Sequence, residues 1–174
     1  MANHQEIHLE KKITIHSTTK HLFKMWRNVE NLPYILDFLE EVKALDENRS
    51  KWSLLTVHNE RIVFEIEITE EAQGKFITWH SQKSTDLLHE GTVSFSSTAE
   101  PRTTQLELSL HFYFPPMEES RSEMLGENLE ARIEEDLQRF KVAIQANQFP
   151  KKREGTSRYE NLPDSVRTKR REFL

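Results

Sequence analysis

The sequence predicts an α+β domain in which a curved antiparallel sheet wraps around a long C-terminal helix, with two short helices after the first strand. Three observations predict it. Strand-like alternation fills residues 6–16 and returns in six stretches between residues 42 and 114. Two short amphipathic segments, separated by Asn31-Leu32-Pro33, follow the first strand, and one long helical stripe closes the pattern near Ala146. The chain has 174 residues, which fits one domain on a prior of about 100–200 residues.

Each element carries its own signature. Ile7, Leu9, Ile13 and Ile15 occupy alternate positions, interrupted by Lys11, as in a strand with one buried face. Ser17-Thr18-Thr19 supplies a cap for a helix on which Leu22, Phe23, Trp26 and Val29 recur at three- and four-residue spacing. Pro33 suits the first turn of a second short helix running through Phe38. Strands are expected over residues 42–46, 51–58, 61–70, 75–81 and 88–96. The clearest alternates Ile62, Phe64, Ile66 and Ile68 with Val63, Glu65, Glu67 and Thr69. It lies between the polar connection His58-Asn59-Glu60 and a turn at Gln73-Gly74. A last long strand sets Leu106, Leu108, Leu110, Phe112 and Phe114 on one face, with Gln105, Glu107, Ser109 and His111 on the other. Pro115-Pro116 ends it, because neither residue donates to a ladder. Over residues 118–146, Leu125, Leu129, Ile133, Leu137, Phe140 and Ile144 form one stripe. Glu127, Glu130, Glu134, Glu135 and Asp136 fall mostly off it. Such a helix needs its stripe buried, and the concave face of the sheet is the apolar surface left to receive it.

Composition narrows the function classes. With 36% hydrophobic and 30% charged residues the chain is polar but globular. The absence of cysteine removes disulfides, thiolate nucleophiles and thiolate metal sites together. No basic segment followed by an apolar stretch opens the chain, and no apolar run approaches the roughly 20 residues that span a bilayer. The expected location is the cytoplasm. Charge is divided unevenly: residues 1–147 hold 16 Lys and Arg against 25 Asp and Glu, whereas residues 148–174 hold 8 against 4. An acidic domain over 1–147 and a basic, flexible tail over 148–174 are therefore expected.

Specific stretches sharpen the fold. Leu22-Phe23-Lys24-Met25-Trp26-Arg27-Asn28-Val29-Glu30-Asn31-Leu32-Pro33 comes first, then Trp52, Ile77-Thr78-Trp79-His80-Ser81 and Gly91-Thr92-Val93-Ser94-Phe95. Pro115-Pro116 and Glu135-Asp136-Leu137-Gln138-Arg139-Phe140-Lys141 complete the series. In this order they resemble the bacterial cyclase/dehydrase branch of the SRPBCC superfamily, relatives of START lipid-binding domains and coenzyme Q-binding proteins. The resemblance covers roughly residues 6–145, and Met117-Glu118-Glu119 stands where many relatives carry glycines. It implies the helix-grip fold of START domains and the birch-pollen allergen. It also implies a small hydrophobic ligand, lipid-like, aromatic or polyketide-like, held between sheet and helix, or cyclase/aromatase chemistry on a polyketide-like chain.

The facing apolar surfaces have two possible jobs, to meet completely or to stand apart around a ligand. In the second case the walls are Trp26 from the first helix, then Phe64, Ile66, Trp79, His89 and Phe95 from the middle strands. Leu108, Leu110 and Phe112 from the last strand and Leu129, Ile133 and Leu137 from the helix complete them, with Trp52 a further aromatic. In the first case all are core side chains. His89 shares the alternation of Val93 and Phe95 and so points inward, as a buried neutral histidine satisfied by a hydroxyl or as a proton-transfer group, alone or with Thr78. Glu65 and Glu67 face solvent.

Other chemistries lack their signatures. None of the eight histidines belongs to a His-Glu-x-x-His arrangement, so no metal is expected. There is no Gly-x-Ser-x-Gly elbow, no Gly-x-Gly-x-x-Gly and no phosphate loop, so no cofactor is expected. The basic tail suits an anionic surface at most peripherally, and its scarcity of aromatics argues against specific nucleic-acid binding. An interaction protein acting through surface and tail stays open as a third reading, and oligomeric state is not legible.

Overall fold

The computed structural model describes residues 5–55, 61–82, 88–114 and 129–152. Seven strands form one antiparallel sheet: β1 (Gln5–Ile15), β2 (Leu39–Ala44), β3 (Arg49–Leu55), β4 (Arg61–Ala72), β5 (Phe76–Ser81), β6 (Leu88–Ser97) and β7 (Thr104–Phe114). Their order across the sheet is β1-β7-β6-β5-β4-β3-β2, so the first two strands lie at opposite edges. Between them run α1 (Thr19–Arg27), a 3-10 turn (Val29–Asn31) and α2 (Leu32–Ile35), and after β7 comes α3 (Leu129–Gln145). This is the helix-grip arrangement expected from the sequence.

Alternation decides which face is inner. Leu9, Ile13 and Ile15 on β1, Phe64 and Ile66 on β4, Ile77 and Trp79 on β5, and Val93 and Phe95 on β6 are all buried. Leu106, Leu108, Leu110 and Phe112 on β7 join them. Lys11 falls on the same face yet stays in water's reach, paired through Nζ with Glu130 Oε1 at 2.9 Å and Glu134 Oε2 at 3.4 Å on α3. Register shifts at Leu39/Glu41 and Ile68/Glu70 mark bulges, which add bend and twist to the sheet.

Boundaries differ from expectation where side chains intervene. β2 runs over Leu39–Ala44 rather than 42–46, because Asp46 Oδ1 accepts from the Asn48 and Arg49 backbone N–H groups and turns the chain. α2 is one turn, Leu32–Ile35, stopped well short of Phe38. Thr18 is the cap of α1, its Oγ1 accepting from His21 N at 3.2 Å. Asp136 corrects the reading of α3. It is buried rather than off the stripe, lying three residues after Ile133 and four before Phe140. Its Oδ2 accepts from Asp37 N at 3.0 Å and its Oδ1 from Arg139 Nη2 at 3.1 Å.

α3 ends at an Asn147 of positive φ, 54°, with Gln148 N donating to Ala143 O at 2.8 Å. The chain then turns back on the body. Phe149 meets the Tyr34 ring edge-on at 5.5 Å, and Lys152 Nζ donates to Leu39 O at 2.9 Å. Residues 148–152, expected in the tail, thus lie against the domain; residues 153–174 fall outside the described residues. So do His58-Asn59-Glu60, Pro115-Pro116, Met117 and the expected start of the long helix through Leu125. Among the described residues no helix is long and apolar enough to cross a membrane.

Candidate functional site

Every side chain expected to line the interior is buried: Trp26, Phe64, Ile66, Trp79, His89, Phe95, Leu108, Leu110, Phe112, Leu129, Ile133 and Leu137. His89 stacks on Phe112 at 4.3 Å, and Phe38 meets the same Phe112 ring edge-on at 5.9 Å. Trp52 lies 6.1 Å from Phe64 and 6.0 Å from Trp79. These rings occupy the hollow beside β4–β7. Phe95 packs elsewhere, against Phe23 under α1.

Free volume lies under the short helices. Trp26, Val29 and Leu32 on one side and Trp52, Ile66, Ile68, Ile77, Trp79 and Val93 on the other line an apolar crevice of about 10 Å³. That is room for one water molecule and far below the roughly 300–1,000 Å³ of a pocket for a drug-sized ligand. This crevice lies beside α1, toward the short helices, and is lined wholly by described residues. Periodicity marks which residues face inward; it does not show whether opposing rings meet.

Among the described residues, buried side-chain polar atoms inside this wall are matched except one. Trp52 Nε1 donates to Ser50 Oγ at 2.7 Å. Trp79 Nε1 contacts His89 Nε2 at 3.0 Å, and His89 Nδ1 contacts the His111 carbonyl oxygen at 2.9 Å. A carbonyl only accepts, so Nδ1 carries the imidazole proton and Nε2 accepts from the indole. Burial pushes His89 down to about 4, a neutral ring at physiological pH. Its backbone N–H donates to Ser81 Oγ at 2.8 Å. The expected buried neutral histidine is present, though an indole and a carbonyl satisfy the ring instead of a hydroxyl.

Neither proton-transfer candidate is placed for that work. Both His89 nitrogens are committed, and Thr78 lies on the outer face, its hydroxyl 3.1 Å from that of Thr92. Trp26 Nε1 is the exception: among the described residues it has no hydrogen-bond partner although the residue is only 2% exposed. A buried donor left unsatisfied costs about 1–3 kcal/mol. Nothing in the sequence marks this donor, because three tryptophans look alike until their neighbours are known. Trp26 also meets Phe140 of α3 edge-on at 6.0 Å, which fixes the indole plane.

Two further features bear on the site. Gly91 lies directly under the Trp79 indole: a Cβ there would stand 2.4 Å from Trp79 Cζ2. Among the described residues no cluster of three or more His, Asp or Glu side chains is placed to hold a metal ion.

The family described as "Polyketide cyclase / dehydrase and lipid transport" matches residues 16–142. Among solved structures, the protein DR_A0006 from Deinococcus radiodurans is 24% identical with a TM-score of 0.68, covering 81% of this chain and 99% of that one. A START superfamily protein from Mycobacterium smegmatis is 12% identical with a TM-score of 0.60, covering 79% and 98%. Ginseng major latex-like protein 151 from Panax ginseng is 10% identical with a TM-score of 0.54, covering 83% and 99%. At these identities the likeness is one of fold. No curated protein matches the sequence.

Proposed function

Since the chain belongs to the polyketide cyclase / dehydrase and lipid transport family, we propose that it is a cytoplasmic binding protein for a small, largely apolar ligand carrying one hydrogen-bond acceptor. The observation that carries this reading is Trp26. Its N–H is buried and unpartnered in a residue that lines an apolar crevice. A ligand carbonyl or hydroxyl oxygen beside it returns the cost of the lone donor, while the apolar remainder lies among Trp52, Ile66 and Trp79. Because the crevice holds about 10 Å³, binding requires the short helices or the neighbouring rings to move apart. Ligand binding and opening are thus coupled.

Both His89 ring nitrogens are already bonded and Thr78 faces outward, so a binding role is preferred to turnover. The test is native mass spectrometry of the full chain, solvent extraction of what co-purifies, and thermal shift with a panel of fatty acids, quinones and polycyclic aromatics. Co-purified ligand, or a raised melting temperature with a compound bearing an acceptor, is the expected result. Trp26→Phe keeps the ring packing but removes the donor, and should weaken that binding about tenfold, the worth of one hydrogen bond near 1.4 kcal/mol. No bound compound and no shift across the panel would end the reading. Conversion of a model polyketide chain would replace it with the cyclase reading.

A further inference from the structure

The Trp26 crevice has a polar neighbour. Arg27, Asn28 and Val29 at the end of α1, with Ala44 and residues 46–50 of the β2–β3 turn and Ile68, line an open surface pocket of about 520 Å³. Val29 and Ile68 are walls of both spaces. Both are half-buried and pack against the core, so two aliphatic side chains separate the outer pocket from the crevice. The bulge at Ile68/Glu70 interrupts the β4–β5 ladder at this point, while on the other side Ile68 N donates to Asn48 O at 2.7 Å, extending the β3–β4 pairing.

The charges around the outer pocket are already matched. Arg27 donates from Nε to Glu71 Oε2 at 2.6 Å and from Nη2 to the Glu47 carbonyl at 2.6 Å. Arg49 donates from Nε to Asp46 Oδ2 at 2.7 Å. A carboxylate or phosphate would meet Asp46 and Glu47, and an ammonium group would meet Arg27 and Arg49. What remains on offer, among the described residues, is guanidinium N–H capacity on Arg27 Nη1 and on the Nη groups of Arg49, beside the amides of Asn28 and Asn48. Such a set hydrogen-bonds hydroxyl and ether oxygens without needing a counter-charge.

We infer that the ligand is an amphiphile with an uncharged, oxygen-rich head such as a glycosyl or polyol group. Its body passes between Val29 and Ile68 to the Trp26 N–H, and its head rests in the pocket formed by the end of α1 and the β2–β3 turn. The inference rests on the ligand-binding reading above and adds a port and a head-group class to it.

The test uses the full chain labelled with ¹⁵N and n-octyl glucoside below its micelle concentration, with octanoate and octyltrimethylammonium as charged-headed equivalents. Cross-peaks of the three indole N–H groups and of the Asn48 and Arg49 amides are followed. Octyl glucoside should shift Asn48, Arg49 and the Trp26 indole together, the indole responding to the alkyl chain packed beside it. The two charged probes should bind at least tenfold more weakly. Val29→Phe and, should that variant fold poorly, Ile68→Phe should weaken octyl glucoside binding at least tenfold by blocking the passage. Equal or tighter binding of a charged probe would overturn the head-group class. A Trp26 response unchanged in both blocked variants, or an Asn48 response without Trp26, would overturn the port while leaving ligand binding intact. Silence of every indole with every probe would remove both readings.

Discussion

Trp26, Trp52 and Trp79 bury the same side chain and differ in what the nitrogen meets. For Trp52 the partner is two residues away, Ser50, and for Trp79 it is His89, on β6 two residues before the Gly91 that pairs with Trp79. The inward direction of all three was legible from alternation or helical spacing. Their hydrogen bonds were not, because partners ten residues apart or on another strand are set by register and rotamer. Gly91 shows the same limit. Its sequence neighbourhood reads as a strand interior, where glycine is a weakness, yet its missing side chain is what lets the Trp79 ring lie flat. Gly91→Ala should therefore cost about 1–3 kcal/mol of stability through overpacking, read as a lowered urea midpoint with altered near-UV circular dichroism. An unchanged midpoint would mean the ring is not seated there.

Elements were more legible than contacts. The order of strands and helices followed from period-two and period-3.6 patterns, and the Lys11 interruption in β1 marks where α3 crosses, with Glu130 and Glu134 holding its ammonium. Ends were less legible, since side-chain turns such as that of Asp46 decide them. Asp136 was misplaced because charge suggests solvent, whereas its position between Ile133 and Phe140 sends it to the junction with α2. At this level two substitutions are informative. Thr18→Ala removes the acceptor for His21 N and should cost about 1 kcal/mol. Phe140→Ala empties the contact between α3 and Trp26 and should cost about 3–5 kcal/mol. Both are read from urea unfolding at neutral pH, and a Phe140→Ala loss no larger than that of Thr18→Ala would contradict the packing described for α3.

At the scale of the molecule two buried groups set opposing responses to acid. Burial lowers His89 from 6.5 to about 4, so between those values the unfolded chain binds the additional proton. The stability from neutral His89 is complete above pH 6.5 and is lost as pH falls toward 4. Burial raises Asp136 from 3.8 to about 6, outweighing the Asp37 N–H and Arg139. There the folded chain binds the proton first, so acidification from 6 toward 3.8 relieves a buried charge and adds stability. The two slopes offset each other across their overlap. Asp136→Asn should remove one of them, and its stability relative to the parent chain should fall by roughly 2–3 kcal/mol between pH 6.5 and 4. Urea unfolding at several pH values measures this; a gap that stays constant with pH would show that Asp136 does not titrate in that window.

The placement of β1 beside β7, at the far edge from β2, has a consequence for synthesis. Ile15 pairs with Thr104 and Gln5 with Phe114, so the first strand made waits for about ninety further residues before its partner leaves the ribosome. Throughout that interval the stripe of Ile7, Leu9, Ile13 and Ile15 has no sheet to join, and a nascent chain halted before residue 104 should recruit hydrophobic-binding chaperones. Pulse-labelled amide exchange during refolding should find β1 among the last strands protected, because closing so long a loop is the slowest pairing this topology demands.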